Sequence, residues 1–460
     1  MDVKNLIHLS VSESMEQFAN GTLVSTAERD LKPEDAVYAG TRFGLKYHTV
    51  AVIRDSDPSS EMVAKALISG LLSAGANVLD AGRKPVPEAY AVLSSECELI
   101  LSVGNPDRDG HISGISAYSA DGSPLTKEEL SNILKNGDFK LPDFKHLGHV
   151  TEAMDLDSKY IEKVKSLGIS SQGYVILDCG CGSTSTCAPH LLESLGADVV
   201  AFNTHEVGEK LPRAPGLNKT DLMHIASFVN ASIGSIGIAF NSDGTRIALI
   251  DESGKYVPGD RLLALMLMYY EPQVAVVPFD SPYVVEDAFK SPLGMRRTPV
   301  DPSERRLVRA DGDIDSIIQA MKDNDAEFGA LADGTFIFSQ LGYCPDALFA
   351  ASILSELAGK RSIRNVLEEI PVYSNRTLRI DFDGNMTLFS NKLRERLKNY
   401  DVPDVEFTGL AWKILLKHGS YTIKQAENNP EKLVVFAESS DVVYLITMLE
   451  QAKDIIHFCI

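Results

Sequence analysis

Side chains able to do chemistry gather in loops at the predicted carboxyl ends of strands, where ligands bind in α/β sheets. The loop 241–246 (NSDGTR) alternates oxygen-bearing side chains across a glycine turn, an arrangement that could face a hard cation. The loops 102–110 (SVGNPDRDG) and 329–335 (GALADGT) also follow apolar strands. Arg42, within a predicted glycine-bracketed turn over 40–44, could contact an anion.

The elements that position these loops alternate between strands and helices. Apolar runs predict strands at 49–54, 77–81, 98–103, 174–178, 198–202 and 273–279. Amphipathic or capped segments predict helices at 60–74, 187–197 and 314–324. This alternation indicates mostly parallel, covered sheets in about three α/β modules.

The predicted secondary structure becomes richer in strands past Pro371. TLRIDF and KLVVFAES are typical of strands, with the helix MTLFSNKLRERLKNY between them and the helix DVVYLITMLEQAKD after them. The basic run Lys392–Lys398 (KLRERLK) lies on the first of these helices and is interpreted as a solvated face. We therefore predict an N-terminal extension, three α/β domains and a smaller C-terminal α+β domain, with these bounds: 1–37, 38–165, 166–268, 269–372 and 373–460.

The composition and the net charge of the chain argue against some classes of partner. The chain has 460 residues, of which 44% are hydrophobic and 23% are charged, as in ordinary folded globular proteins. Its formal charge of −20 would repel a phosphate backbone, so no nucleic-acid partner is expected. No apolar stretch approaches the ~20 residues of a membrane span, and the N-terminus lacks a signal-peptide pattern. A cytoplasmic chain with no membrane partner is the expectation.

The six cysteines are too sparse for a disulfide framework. Three of them, Cys179, Cys181 and Cys187, could hold a soft metal, but their spacing is not a standard zinc pattern. Small packed cysteines are the favoured interpretation. The segment 10–19 (SVSESMEQFA) could form a short amphipathic helix that either docks on another subunit or caps its own first domain.

From about residue 38 to the end, the order and spacing of these loops resemble the α-D-phosphohexomutase family. This family includes phosphoglucomutases, phosphomannomutases and phosphoglucosamine mutases. The resemblance implies four domains around a central cleft, the last of which grips the substrate phosphate. It also implies that a phosphoserine exchanges its phosphoryl group with a hexose phosphate through a bisphosphate intermediate, assisted by Mg²⁺. The segments 40–44 and 53–60 are similar to the family's Gly-Thr-Ser-Gly-Ile-Arg-Gly and Gly-Arg-Asp-Thr-Arg-Pro-Ser-Ser.

The nucleophile loop departs from the family. The family's Thr-Ala-Ser-His-Asn-Pro aligns its last two residues with Asn105 and Pro106, which places Val103 at the phosphoserine and Gly104 at the histidine. A valine has no oxygen to carry a phosphoryl group. Ser102 is the fallback, but it would need a local bulge to reach the same cleft, because successive strand side chains alternate in direction.

The other loops also lose chemical residues. The family's metal loop, Asp-Gly-Asp-Gly-Asp-Arg, places its carboxylates on Asn241, Asp243 and Thr245, which leaves either a weak Mg²⁺ site or a plain turn. The sugar loop, Gly-Glu-Gln-Ser-Gly-His, places Leu331, Asp333 and Thr335 where sugar hydroxyls would be held. Asp346 fits the family's Asp-Gly-Ile segment that opens the next helix.

The phosphate loop, Arg-Pro-Ser-Gly-Thr-Glu-Pro, falls near 424–430, where Lys424 is the one cation left. Glu427 and Glu431 would repel a dianion. The candidate substrate-binding residues are Arg42, Arg54, Asn105, Arg246 and Lys424.

Because four loops lose their chemical residues while the framework keeps its order, the leading hypothesis is a family member that has lost mutase activity. It would act as a non-catalytic partner of an active relative or of itself, with a phosphosugar as a further ligand. The alternative is an active phosphosugar mutase or phosphotransferase with a rebuilt site that uses Ser102, Asp243, Arg246 and Arg42. No cofactor is assigned beyond a weak Mg²⁺ site.

Overall fold

The computed structural model describes the following residues: 18–19, 22–24, 31–104, 114–135, 140–205, 213, 216–295, 302–382, 385–398, 404–407, 411–426 and 429–460. The strands, in chain order, are β1 Phe18–Ala19, β2 Thr22–Val24, β3 Thr49–Arg54, β4 Asn77–Arg83, β5 Leu99–Gly104, β6 Gly114–Ser119, β7 Val150–Glu152, β8 Tyr174–Asp178, β9 Asp198–Phe202, β10 Ser235–Phe240, β11 Ile247–Ile250, β12 Val274–Pro278, β13 Arg306–Ala310, β14 Phe328–Ala330, β15 Phe336–Phe338, β16 Ser374–Asp381, β17 Asp404–Phe407, β18 Ala411–Leu416, β19 Gly419–Ala426 and β20 Asn429–Ser439.

The helices are α1 Pro33–Gly44, α2 Pro58–Ser73, α3 Val86–Leu93, α4 Lys127–Leu134, α5 Leu156–Ser166, α6 Ala188–Ser194, α7 Met223–Ala231, α8 Gly259–Tyr270, α9 Tyr283–Lys290, α10 Ile314–Asp323, α11 Ala347–Lys360, α12 Ile363–Glu369, α13 Met386–Leu397 and α14 Val442–Cys459. The chain divides into two compact units. The first comprises Met1–Gly259 and Ala326–Asn365, and the second comprises Asp260–Asp325 and Val366–Ile460.

Two mixed sheets organise the first unit. The larger has the strand order β1-β2-β6-β5-β3-β4-β7, in which β5, β3, β4 and β7 run parallel. The smaller has the order β11-β10-β8-β9, in which β10, β8 and β9 run parallel. Parallel neighbours place their carboxyl ends at one edge of a sheet, so the loops after β3 and β5 come together.

The second unit contains the parallel pair β12 and β13 and an antiparallel sheet of order β16-β20-β19-β18-β17. The helices α13 and α14 cover this sheet, and their apolar side chains form one buried cluster with it. This is the α+β module predicted for the C-terminal part. The α/β class with several mostly parallel sheets is likewise confirmed, whereas the predicted domain bounds near 165, 268 and 372 stay predictions.

The predicted turn at 40–44 is wrong, because these residues are the last part of helix α1. Their glycines serve helix packing. A Cβ on Gly40 would overlap the carbonyl oxygen of Leu67 in α2, and a Cβ on Gly70 would overlap that of Val37 in α1. Glycine at these positions lets the two helices approach closely.

The N-terminal helix predicted over 10–19 is wrong where it can be checked, since Phe18–Ala19 is a strand paired with β2. The rest of that segment lies outside the described residues.

Asp346 begins helix α11, as expected. Its carboxylate accepts a hydrogen bond from the backbone N–H of Phe349 at 2.8 Å and caps the helix. It also accepts the hydroxyl of Tyr160 in α5, with Oδ2 at 2.8 Å. This buried bond joins segments 186 residues apart and fixes α5 against the N-terminus of α11 within the first unit.

Candidate functional site

The candidate site lies in the first unit, at the carboxyl ends of β3, β5 and β10. The parallel pairing of β3 with β5 continues past the end of β3, where the backbone N–H of Asp55 donates to the carbonyl of Val103 at 2.9 Å. The Asp55 carboxylate lies against the α-carbon of Gly104. We call Asp55, Gly104, Asn241, Asp243, Thr245, Arg246 and Asp333 the strand-end cluster.

Val103 is fully buried at the position that aligns with the family's phosphoserine. It packs in the same apolar cluster as Leu101 and Ile115, while Ile100 belongs to the cluster on the opposite face of the sheet. Because side chains alternate along a strand, Ser102 points to the face of Ile100 and away from that of Val103. Strand β5 keeps a regular register with β3 and β6 through its whole length, so the bulge that Ser102 would need is absent from Leu99–Gly104.

The 241–246 loop uses its own polar atoms to close a turn. Asn241 Oδ1 accepts the backbone N–H of Arg246 at 3.0 Å, and its Nδ2 donates to Thr245 Oγ1 at 2.9 Å. Thr245 in turn donates to Asp243 Oδ1 from its hydroxyl at 2.6 Å and from its backbone N–H at 3.0 Å. The three residues at the family's carboxylate positions thus bond to one another.

Electrostatics around Asp243 favour its protonated form more than in water. Removal from water raises the pKa of Asp243 to about 6, the two hydrogen bonds from Thr245 oppose this shift, and the negative charge of Asp55 adds to it. The two carboxyl groups therefore interact unfavourably when both are ionised.

The loop after β10, which is the predicted metal loop, contacts the loop between β14 and β15, which is the predicted sugar loop. The guanidinium of Arg246 forms an ion pair with Asp333 Oδ2 at 3.0 Å, and Arg246 forms a β-bridge with Thr335. Leu331 donates its backbone N–H to the carbonyl of Thr335 at 3.0 Å and closes the second loop. Sequence reasoning named each of these residues, and the fold brings them together.

The other predicted binding residues have different partners. Arg42 lies on α1, where its Nε donates to the carbonyl of Ile133 at 2.8 Å. Arg54 borders the strand-end cluster, since its Nη1 donates to the carbonyl of Asp55 at 3.3 Å, and it pairs with Glu61 at 3.5 Å at the start of α2. Lys424 lies on β19 in the second unit, so the predicted phosphate loop is formed largely by two strands of a hairpin. Asn105 lies outside the described residues.

The three clustered cysteines do not form a common metal site within the described parts of the chain. Cys179, Cys181 and Cys187 are all fully buried, in keeping with packed cysteines. Cys181 Sγ lies 3.7 Å from His205 Nε2. Cys187 instead approaches Glu88 and Asp157, a convergence that sequence reasoning missed. The one signal for it was a glutamate in an otherwise apolar helix, VPEAYAVL.

None of the described helices combines the length and the apolar character that crossing a bilayer requires.

Comparison with known proteins agrees with this fold. Residues 26–139 match the family model described as phosphoglucomutase/phosphomannomutase, alpha/beta/alpha domain I. The solved structure of a phosphoglucomutase/phosphomannomutase family protein from Burkholderia thailandensis superimposes with a TM-score of 0.73 at 17% identity, covering 97% of this chain and 98% of that one. A phosphomannomutase structure from Thermus thermophilus has a TM-score of 0.69 at 15% identity, covering 96% and 99% of the two chains. The fold is that of a phosphohexomutase.

Proteins similar in sequence are named probable phosphoglucosamine mutases. A probable phosphoglucosamine mutase from Methanosarcina barkeri is 29% identical over 370 residues, which are 79% of this chain and 82% of the relative. A second, from Methanocella arvoryzae, is 26% identical over 437 residues, which are 94% and 95% of the two chains. Over most of its length, this chain is similar in sequence to proteins named probable phosphoglucosamine mutases.

Proposed function

We propose that this chain is a phosphohexomutase-family protein that does not carry out the phosphoserine mutase reaction and acts as a non-catalytic binding partner in sugar-phosphate metabolism. One observation carries the proposal. The residue aligned with the family's phosphoserine is Val103, whose side chain is fully buried and has no oxygen. The neighbouring hydroxyl, on Ser102, belongs to the other face of a regular strand.

The 241–246 loop supports the same inference. Mg²⁺ is held in proteins by charged oxygen ligands in a near-octahedral arrangement. Asp243 is the single carboxylate at the three aligned positions, and Asn241 and Thr245 use their side-chain oxygens inside the turn. We infer that this donor set does not fit Mg²⁺.

A rebuilt active site is the second candidate function. It is favoured by the relatives named probable phosphoglucosamine mutases, which match over about four-fifths of the chain. In that case Ser102 would carry the phosphoryl group, and Asp243 and Arg246 would face the substrate.

Phosphorus NMR separates these two candidates. Purified full-length protein is mixed with glucose, mannose or glucosamine phosphate, together with Mg²⁺ and a hexose bisphosphate primer, and spectra are recorded over hours. We expect no interconversion. Interconversion that scales with protein concentration and disappears in Ser102→Ala or Asp243→Ala would overturn the proposal in favour of the rebuilt site.

The partner role needs its own test. The chain is mixed with a purified active phosphoglucosamine mutase and passed through size-exclusion chromatography with light scattering. A complex heavier than either protein is expected, and its loss on deletion of residues 1–17, which precede β1, would assign the contact to the N-terminal segment. Separate elution at micromolar concentrations, with no self-association of the chain, would contradict the partner role.

A further inference from the structure

Three potential metal ligands converge at a place that the proposed function does not use. Glu88 lies on α3, Asp157 lies in the first turn of α5, and Cys187 precedes α6. One ligand atom from each lies within 4.8 Å of the other two. All three belong to the first unit.

Glu88 is the observation that points to a cation. Its side chain is fully buried, and neither carboxylate oxygen accepts a hydrogen bond from the described residues. Two charged groups lie beside it: the ammonium of Lys84, whose Nζ forms an ion pair with Oε1 at 3.2 Å, and the carboxylate of Asp157, which adds negative charge. A buried carboxylate in this state is costly unless a cation lies against it.

We propose that Glu88, Asp157 and Cys187 form a binding site for Zn²⁺. A thiolate with two carboxylates is a donor set for borderline-soft zinc, whereas Mg²⁺ and Ca²⁺ take oxygen ligands alone. Zinc ligand distances of about 2.0–2.3 Å place tetrahedral ligands roughly 3.3–3.8 Å apart. Small side-chain rotations from the observed spacing are enough to reach this geometry. Binding forms the Zn–S bond and the bond to the Glu88 carboxylate, and it releases the thiol proton of Cys187 and the carboxyl proton of Glu88 to solvent.

Lys84 is compatible with the ion. Its Nζ contacts Asp157 Oδ1 at 2.6 Å and Glu88 Oε1 at 3.2 Å, so the second oxygen of each carboxylate remains for the metal. Two carboxylates and a thiolate balance the charges of Zn²⁺ and one ammonium group. The side chain of Asp157 is 38% exposed, which gives the ion a route from solvent and leaves the fourth coordination position to water.

The site would tie together three segments that are far apart in the sequence. The ion would hold α3, α5 and the start of α6 in one arrangement, and its binding energy would add to the stability of the first unit. It would not touch the strand-end cluster, so the inference does not depend on the proposed function.

Cobalt titration tests the site directly. Untagged full-length protein is titrated with Co²⁺, a spectroscopic substitute for Zn²⁺, and the near-ultraviolet band of a thiolate–cobalt bond is recorded. We expect one equivalent of Co²⁺ to give the band and one equivalent of Zn²⁺ to remove it. Cys187→Ser should abolish the band, and Cys97→Ser, a change at another buried cysteine, should leave it intact.

A second variant covers the case in which Cys187→Ser does not fold. Glu88→Gln keeps the thiol and the shape of the side chain, and it should weaken Zn²⁺ binding at least tenfold by calorimetry. Zn²⁺ should raise the melting temperature of the wild type and of Cys97→Ser by similar amounts, and that of Glu88→Gln by less at the same Zn²⁺ concentration. The proposal is overturned if no band forms, if the band survives Cys187→Ser, or if Glu88→Gln binds Zn²⁺ as tightly as the wild type.

Discussion

Gly104 and Asp55 contact each other so closely that a Cβ on Gly104 would lie 2.5 Å from Asp55 Oδ2. The parallel pairing of β3 and β5 brings these residues together. At the position where the family has a histidine, the space for a side chain is therefore taken by the carboxylate of Asp55.

Substituting Gly104 by alanine should destabilise the first unit by roughly 1–3 kcal/mol, because the added methyl group must displace a carboxylate that is itself buried. Urea unfolding measures the change. Gly216→Ala is the matched control, since no atom lies within 4 Å of a Cβ built there. Equal stability of the two variants would show that Asp55 moves aside freely.

Val103→Ser should remain without mutase activity and should cost about 1–3 kcal/mol in stability, because it buries a hydroxyl and removes apolar contacts. The activity is followed by the phosphorus NMR assay and the stability by urea unfolding. Val443→Ser, at a position that is 73% exposed, is the control and should cost under about 0.5 kcal/mol. Turnover by Val103→Ser would mean that the missing oxygen was the sole obstacle to catalysis.

Two arginine ion pairs should differ widely in their contribution to the free energy of unfolding. Arg213 donates to Asp178 at 2.8 Å with both side chains about 95% buried, so Arg213→Met should cost roughly 3–5 kcal/mol by leaving a buried carboxylate uncompensated. Arg246 pairs with a half-exposed Asp333, so Arg246→Met should cost under about 1 kcal/mol. Thermal unfolding of the two variants measures the contrast. Similar melting temperatures would show that burial does not set the strength of these pairs.

The stability of the first unit should depend on pH through Asp346. Burial raises its pKa to about 6 from 3.8, with the hydrogen bonds from Phe349 and Tyr160 opposing the shift. The folded state then holds a proton that the unfolded state loses, so this residue makes stability fall as the pH rises from about 4 to 6. Above that range its contribution is constant.

Asp346→Asn removes this titration while keeping an oxygen that can cap α11. Relative to the wild type, the variant should gain about 3 kcal/mol between pH 4 and pH 7. Urea midpoints of both proteins across this range give the difference. A difference that does not change with pH would contradict the raised pKa.

The positions of the strands could be predicted from the sequence because they depend on local composition. Apolar runs such as TVAVIR and YVILD became β3 and β8 with the predicted bounds. The adjacency of the loops after β3 and β5 also followed, since parallel strands end at one edge. The segment 40–44 was misassigned because a glycine pair serves close helix packing as well as it serves a turn, and a single sequence does not distinguish the two.

Side-chain convergence was harder to predict than secondary structure. Glu88, Asp157 and Cys187 lie on three elements separated by about 30 to 70 residues, and nothing in the spacing of the sequence links them. The internal bonding of Asn241 and Thr245 likewise depends on the conformation of one turn. The alignment with the family identified which residues changed, and the structure shows what the new side chains do instead.

The first unit is made of two stretches of chain, with Asp260–Asp325 of the second unit inserted between them. As a result, no single proteolytic cut releases either unit as one continuous fragment. A cut after Gly259 would separate Tyr160 from Asp346 and its helix, although the nicked pieces could stay associated through that buried bond. Expression of the first unit alone therefore requires either two co-expressed fragments or a short linker in place of the insertion.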